Sequence, residues 1–440
     1  MPRPRGGEEA NAALAVGLER SQSAAKVPIL NLIRGYELPH QNGSAGFSGI
    51  RTKQNFVRGL VKAYMGKMLS DLKERSFNGI LAELELDKAF ASAWLDNTRV
   101  LVGSKCNRLI CINTESGEVE EIKLPKLNRK DAVFGTPSFG AGCGIRSISV
   151  NPSKNTVASS SSNPCHLTVL EIPTFKPVST FVGHSDWIFG TAWIDDVRVI
   201  TASRDATLRI WNVNNRTGTQ TETSEAVCSS LHKHKVRDVK YDRSCALAAS
   251  VSTDGMITFW DPATIGVVRS VRLKPDQSKE LACIAIEQGL MAAGSLYNIS
   301  LMDIRSKDIK SIKSKGLGTR SLSFHEGTLT IGGGCGKISF FDLRMDRFLE
   351  VSSDSPPDKE RSFHLQTSQG LWHPRDMQFY NFQQHTGIFA QSELFSDVIQ
   401  SHQFMPSCFT HCWDPLGVRL FVGGGPSFQL ARGCYMSVWS

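Results

Sequence analysis

The 440 residues carry a formal net charge of +8, and 40% of them are hydrophobic, a fraction too high for a disordered chain. No apolar run approaches the roughly 20 residues that cross a bilayer, and no apolar stretch follows Arg3 and Arg5 as it would in a secretory signal. We therefore expect a soluble, folded protein of the cytoplasm, the nucleus or both, whose positive excess favours acidic partners.

The first 79 residues divide into two predicted segments. Residues 1–26 are rich in Ala, Gly, Glu and Ser without periodicity, which predicts a disordered tail. Within residues 27–79, apolar side chains recur at four-residue steps at Phe56, Leu60 and Tyr64, a pattern typical of an amphipathic helix. We expect this helical segment to cap the domain that follows, and docking of a partner is the alternative.

Residues 80–440 contain units that resemble one another at a period of roughly 40 residues. In the clearest unit, Gly183–Val213, a Gly-His pair stands at the start and Trp211 near the end, which is the WD-repeat pattern. Weaker copies span Lys88–Leu124, Gly144–Val182, Lys235–Leu273, Glu280–Lys313, Gly318–Val351 and Phe409–Ser440. Seven units predict an all-β, seven-bladed WD40 β-propeller.

Two details of the propeller are predicted from the unit boundaries. The last unit stops at its third strand, so we expect Ile80–Leu86 to supply the missing outer strand and close the ring. A long insertion, residues 352–408, separates the sixth unit from the seventh, and insertions of this length are usually functional or disordered.

No catalytic or metal-binding pattern stands out. His184, Ser203, Asp205 and Trp211 are expected to form a structural hydrogen-bond network, because no nucleophile elbow accompanies them. Cys408, His411 and Cys412 lie close in sequence, but no second cluster completes a tetrahedral zinc site. We expect a protein without enzymatic activity, cofactor or bound metal.

Cations recur at equivalent positions of the repeats. Just inside the first strand stand Arg146, Arg237 and Arg320; Lys88 and Lys235 precede that position, and Lys105 and Arg204 occupy the turn between second and third strands. Both positions open on the narrow face of a propeller, which predicts a basic pocket at one end of the channel. Arginine grips carboxylate or phosphate with two parallel hydrogen bonds, so the pocket favours a short anionic end. Pairing of these cations with neighbouring Asp side chains is the alternative.

A second recurrence predicts a contact surface on the opposite, wider face. Asp303 and Arg305, and then Asp342 and Arg344, form an Asp-x-Arg box at the end of the third strands of consecutive blades. A local structural pairing is the alternative interpretation.

These boxes are similar to those of the cullin-4-associated factors, the substrate receptors of cullin-4 RING ubiquitin ligases, and the type-twelve group resembles the chain most. The stretches that carry the resemblance span roughly residues 85–440 in order; they include KAFASAWL, GCGIRSISVNPS, GHSDWIFGTAWI, FDLRMDRFLE and THCWDPLGVRLFVGGGP. The boxes begin with Met302 and Phe341, where the family has Trp.

The resemblance implies two partners. One is the damage-specific DNA-binding protein adaptor, contacted by the helical segment (Phe56, Leu60, Tyr64) and by Asp303, Arg305, Asp342 and Arg344. The other is a substrate with an acidic C-terminus, often paired Glu, bound by Lys88, Lys105, Arg204, Lys235, Arg237 and Arg320. Arg146 joins this set through the repeat alignment alone. No membrane and no direct nucleic-acid contact is expected. The alternatives are a scaffold propeller of another assembly and a nucleic-acid-binding propeller.

Overall fold

In the computed structural model, the described residues fall almost entirely in the compact unit Leu72–Ser440. They are residues 84–125, 144–213, 232–264, 266–275, 281–306, 308–314, 318–334, 336–349, 406–427 and 432–440, with short pieces at 69, 72, 74–77, 221–222, 381–383 and 388–390. The predicted tail, the helical stripe with Phe56, Leu60 and Tyr64, and most of the 352–408 insertion lie outside them. No helix of this part is both long and apolar enough to span a membrane.

The described chain is built of strands, numbered here in chain order. The first are β1 (Glu74–Ser76), β2 (Ala89–Trp94), β3 (Arg99–Ser104), β4 (Leu109–Asn113), β5 (Val119–Ile122), β6 (Ile148–Val150), β7 (Thr156–Ser160), β8 (Leu167–Glu171), β9 (Pro177–Phe181) and β10 (Ile188–Trp193). Next come β11 (Arg198–Ser203), β12 (Leu208–Asn212), β13 (Thr221–Glu222), β14 (Val236–Asp242), β15 (Leu247–Ser252), β16 (Met256–Asp261), β17 (Gly266–Arg272), β18 (Cys283–Glu287), β19 (Leu290–Gly294) and β20 (Asn298–Asp303). The last are β21 (Ile309–Lys313), β22 (Thr319–His325), β23 (Thr328–Gly333), β24 (Lys337–Asp342), β25 (Arg347–Phe348), β26 (Asn381–Gln383), β27 (Ile388–Ala390), β28 (Pro406–Trp413), β29 (Leu420–Pro426) and β30 (Arg432–Trp439).

These strands form seven antiparallel sheets arranged in a closed ring. The first strands of successive sheets (β2, β6, β10, β14, β18, β22 and β28) each contact the next, and β28 contacts β2. The predicted seven-bladed propeller is therefore confirmed, and each sheet is one blade.

The blades are held together by apolar side chains between neighbouring sheets. Val251 and Phe259 of the fourth blade pack with Ile284, Met291 and Met302 of the fifth, and all five are almost completely buried. Because both faces of a middle strand meet a neighbouring blade, these strands read as continuous apolar runs rather than as alternating patterns.

The closing strand lies upstream of the predicted one. β1 pairs antiparallel with β30, with Glu74 opposite Trp439, and Arg75 donates from Nη1 to the carbonyls of Thr114 (2.8 Å) and Glu115 (3.0 Å) in the first blade. The prediction of Ile80–Leu86 is wrong, because β1 pairs with the last strand instead and none of residues 84–86 lies in a strand; residues 80–83 lie outside the described part. Leu86 instead packs into the core that the first and last blades share.

Two further departures concern the outer strands. The third blade has three strands in the described chain, and β13 pairs in parallel with β9 of the second blade. The insertion contributes β26, which pairs with β24 of the sixth blade, and β27, which pairs with β30 of the seventh.

The predicted network of the third blade exists, with Thr201 as an additional member. Trp211 donates from Nε1 to Thr201 Oγ1 (2.8 Å), which bonds His184 Nε2 (2.7 Å), and His184 Nδ1 bonds Asp205 (2.8 Å). Ser203 belongs to it as well, since its Oγ accepts the backbone N–H of Asp205 (3.1 Å) and donates to the carbonyl of Asp186. Burial lowers the pKa of His184, so its ring is neutral and this chain of bonds is structural.

Candidate functional site

One residue at the start of each first strand turns towards the central channel. In five blades the register shifts there by a β-bulge that leaves this residue unpaired in the ladder: Phe90, Phe189, Arg237, Arg320 and Phe409. Arg146 and Ala282 stand at the equivalent place in the second and fifth blades. A bulge re-aims the side chain of its extra residue, and all seven residues line one cavity of about 290 Å³. We call these seven residues the mouth ring, and the side of the propeller on which it lies the mouth face.

The mouth ring alternates aromatic and cationic side chains. The guanidinium of Arg146 lies 4.3 Å from the ring centre of Phe90 and 5.3 Å from that of Phe189. The guanidinium of Arg237 lies 4.7 Å from the ring centre of the same Phe189, so that Phe189 has an arginine on either side. Phe90 in turn meets Phe409 edge to face, with ring centres 5.2 Å apart. This continuous stack fixes the two guanidinium groups in the channel by cation–π attraction.

The cavity is cationic. It is lined by three arginines together with Lys240 and Asp238, whose opposite charges form a pair at 3.2 Å. Asp238 also accepts hydrogen bonds from the backbone of Val239 (2.9 Å) and Ile284 (3.1 Å), so its carboxylate is already engaged. The buried Nε of Arg146 has no hydrogen-bond partner within the described chain, although buried donors are normally satisfied. The arrangement suits an anion that enters the channel.

A serine–histidine pair in this cavity does not form a catalytic base. Ser321 Oγ lies 2.7 Å from His411 Nδ1, and the second ring nitrogen bonds Ser323 at 2.8 Å where a catalytic dyad would have a carboxylate. Burial lowers the pKa of His411 to about 4, and burial raises the pKa of the neighbouring Cys283 thiol. Neither a thiolate nor a base matched to neutral pH is therefore present at this position.

Four of the seven predicted pocket cations do not line the cavity. Lys88 is buried and lies 3.3 Å from Asp87, and Lys105 lies 2.8 Å from the other oxygen of the same carboxylate. Burial lowers the pKa of Lys88 to about 8. For these two lysines the alternative interpretation, pairing with a neighbouring Asp side chain, is the one that the structure shows.

The other two cations lie on the mouth face beyond the ring. Arg204 is within 3.5 Å of Asp186 and stacks over Trp187, with 4.6 Å between the guanidinium and the ring centre. Lys235 is exposed. The structure thus brings Arg146, Arg237 and Arg320 together and leaves the ligand role of all seven cations a prediction.

The three phenylalanines of the ring were missed by sequence reasoning. Phe90, Phe189 and Phe409 occupy the same column of the repeat alignment as the three arginines, which is the column of the bulge in the first strand. Comparing every residue in that column, and not the cations alone, would have revealed the alternation.

The two Asp-x-Arg boxes lie at the opposite face, where the third strands end. Asp303 accepts the backbone N–H of Arg305 (2.8 Å), and Asp342 accepts those of Arg344 (2.8 Å) and Met345 (3.1 Å). Both arginine side chains are exposed, and Arg344 reaches no closer than 3.5 Å to Asp342. The aspartates therefore shape the turns, and the guanidinium groups project from them.

Comparison with known proteins gives matches of two kinds. Among curated proteins, ribosome biogenesis protein WDR12 homologues match parts of the chain: that of Aedes aegypti is 29% identical over 179 residues (39% of this chain and 38% of that protein), and that of Ixodes scapularis is 34% identical over 91 residues (21% and 20%). The chain thus spans less than two fifths of the length of these relatives. The family model of the DDB1- and CUL4-associated factor 12 β-propeller matches residues 72–230 and 219–440. Since that match runs through all seven blades, the chain belongs to the DDB1- and CUL4-associated factor 12 β-propeller family.

Proposed function

We propose that this protein is a substrate receptor of a cullin-4 RING ubiquitin ligase and that its mouth ring binds the acidic C-terminus of the substrate. Membership of the family supports the first part. The observation that carries the second is the group of three arginines, two of them braced by stacking, around one cavity of about 290 Å³.

The geometry favours a chain end over an internal segment. A C-terminal Glu-Glu carries three carboxylates, two on side chains and one on the backbone, within a few residues of chain. The arginines stand in the second, fourth and sixth blades and so face the channel from three sides. Each guanidinium offers several N–H donors in a planar fork that suits a carboxylate.

We expect a fluorescent peptide ending in Glu-Glu to bind the purified protein in a polarisation assay, and the same peptide ending in Ala-Ala or in a C-terminal amide to bind much more weakly. The reason is that charge-assisted hydrogen bonds each contribute about 1.5–3 kcal/mol. Equal affinity for all three peptides would remove the acidic-end assignment and leave the propeller as a contact surface of another kind.

We assign the adaptor contact to the face opposite the mouth ring. Arg305 and Arg344 project there from turns in adjacent blades, in each of which the Asp carboxylate accepts the backbone N–H of the Arg, so they offer two cations to the DDB1 adaptor.

Reversing both charges, Arg305→Glu with Arg344→Glu, is expected to abolish capture of the adaptor in a pull-down with purified proteins. Arg237→Glu, a charge reversal at the mouth face, is the matched control and should retain the adaptor. Loss of the adaptor in the control, or its retention in the double variant, would contradict this assignment.

A scaffold in another assembly is the second candidate. The curated relatives carry the name of ribosome biogenesis proteins, and a propeller with that role needs no acid-selective mouth. A chain that binds neither the adaptor nor acidic ends would favour this candidate.

A further inference from the structure

The wall of the mouth ring is lowest at the fifth blade. Six positions of the ring hold Phe or Arg, whereas the fifth blade contributes Ala282, whose side chain is a single methyl group. Arg237 of the fourth blade and Arg320 of the sixth flank this notch, and Cys283 and Ile284 form its floor. Among the seven residues of the ring, the one in the fifth blade therefore leaves the most room for a peptide whose end is held in the channel.

An exposed aromatic side chain belongs to the same blade as this notch, in a turn on the mouth face. Tyr297 is 54% exposed, and it lies in the turn from β19 to β20, which opens on the mouth face because β18 starts there and β19 returns to it. The other strongly exposed large apolar residues of the described chain are Val267, Val268 and Met345, which lie at the start of β17 and after β24, towards the opposite face. Tyr297 is thus the large apolar group that this part of the chain exposes beside the mouth.

The turn with Tyr297 is fixed to the strand that carries Arg320. Thr319 donates its backbone N–H to the carbonyl of Ser295 (3.0 Å), and Ser314 donates to that of Tyr297 (2.8 Å). Gly318 lies between Leu296 of this turn and Arg320: a Cβ on this glycine would lie 3.2 Å from Leu296 Cδ1 and 3.6 Å from the guanidinium carbon of Arg320. The backbone that carries Tyr297 is therefore held next to the strand that carries Arg320.

We propose that the bound peptide leaves the mouth over Ala282 and that Tyr297 packs against the side chain of the third or fourth residue from its C-terminus, favouring an apolar residue there. This inference rests on the proposed function. The terminal acidic pair occupies the ring, and each further residue of an extended chain advances about 3.3–3.6 Å, so the rim is met by the residues just before the pair. A tyrosine that is 54% exposed gains by packing its ring against an apolar side chain.

The test compares two peptides that both end in Glu-Glu, one with Leu and one with Ser at the third and fourth positions from the end. The wild-type protein is expected to prefer the Leu peptide by about five-fold, a gain that partial burial of leucine supplies. Tyr297→Ala should bind both peptides equally, with the affinity that the wild type has for the Ser peptide. Val268→Ala, which shortens an exposed apolar side chain towards the opposite face, should keep the preference.

The outcomes separate this inference from the function on which it rests. A wild-type protein without the preference, or a Tyr297→Ala variant that keeps it, would overturn the role of Tyr297 while the Glu-Glu dependence stands. If amidation of the C-terminus leaves binding unchanged, the proposed function itself fails. Tyr297→Phe should retain the preference, because the ring and not the hydroxyl makes the contact; its loss in that variant would count against the packing argument.

Discussion

Replacing Arg237 by glutamate is expected to weaken the binding of a Glu-Glu-ended peptide by at least about 100-fold while the protein stays folded. Arg237 lies at the bulge of β14, stacks on Phe189 and faces the cavity. Its loss removes one set of charge-assisted hydrogen bonds, and the new carboxylate then repels the acidic ligand at close range. The fold should tolerate the change, since the side chain is only partly buried and borders a wide channel.

Two further variants test whether the loss of affinity depends on the position of Arg237 and on its planar guanidinium group. Arg243→Glu carries the same change of charge in the same blade, in the exposed turn between β14 and β15 at the opposite face, and should leave peptide affinity within about two-fold, because solvent and salt screen so distant a charge. Arg237→Lys keeps the charge but loses the planar stack, so an intermediate affinity is expected. An Arg237→Glu protein that binds as tightly as Arg243→Glu would remove the mouth ring from the ligand site.

Much of the mouth could be predicted because a propeller repeats its geometry. Aligning the units placed Arg146, Arg237 and Arg320 at one position, and the structure brings these three together. The alignment could not show which neighbouring carboxylates reach a cation. Asp87 pairs with both Lys88 and Lys105 across a loop whose path depends on Lys88, a residue with φ of 39°. Left-handed backbone at a lysine has no signature in the spacing of the residues.

Two details of the fold could not be predicted, for separate physical reasons: the register of one strand pair and the weak apolar signal of an edge strand. Thr201 and Ser203 point to the same side of β11, so a period-two pattern cannot tell which of them meets His184 and Trp211; the pairing of β11 with β12 decides it. The closing strand is a different case. Ile80–Leu86 has the apolar pattern of a strand, whereas the actual closing strand, Glu74–Ser76, is short and lies at the edge of its sheet. Edge strands are exposed on one side and carry little apolar signal.

Asp205→Ala is expected to cost about 2–4 kcal/mol in the free energy of unfolding, the largest loss we expect from a single change away from the channel. Asp205 accepts hydrogen bonds from His184 Nδ1 (2.8 Å), the backbone of Ser185 (3.1 Å) and both the backbone and hydroxyl of Thr207 (2.9 and 2.6 Å). His184 is fully buried, so removal of the carboxylate leaves its Nδ1 with only the longer contact to Thr207 Oγ1 at 3.2 Å. Urea unfolding followed by tryptophan fluorescence measures the loss.

The stability that Asp205 contributes depends on pH, because it requires the ionised form of the Asp205 carboxyl group. Burial would raise the pKa of Asp205, but its hydrogen bonds with His184 and Thr207 outweigh that effect and hold the pKa well below its usual range. A carboxyl whose folded pKa is depressed contributes stability above its unfolded pKa of about 3.9 and loses that contribution as the pH falls towards the folded value. The difference between the wild type and Asp205→Ala should therefore be full at pH 7 and shrink below about pH 4.

The fourth blade supplies a matched control for this prediction. Trp260 donates to Ser250 Oγ (2.8 Å), which bonds His232 Nε2 (2.7 Å), as in the third blade, but the buried Nδ1 of His232 has no hydrogen-bond partner in the described chain. The equivalent acid, Asp254, accepts the backbone N–H of Met256 (2.9 Å). Asp254→Ala should thus cost under about 1 kcal/mol, because no buried donor depends on it. Equal losses in the two variants would mean that the turn, and not the bond to histidine, accounts for the stability that Asp205 contributes.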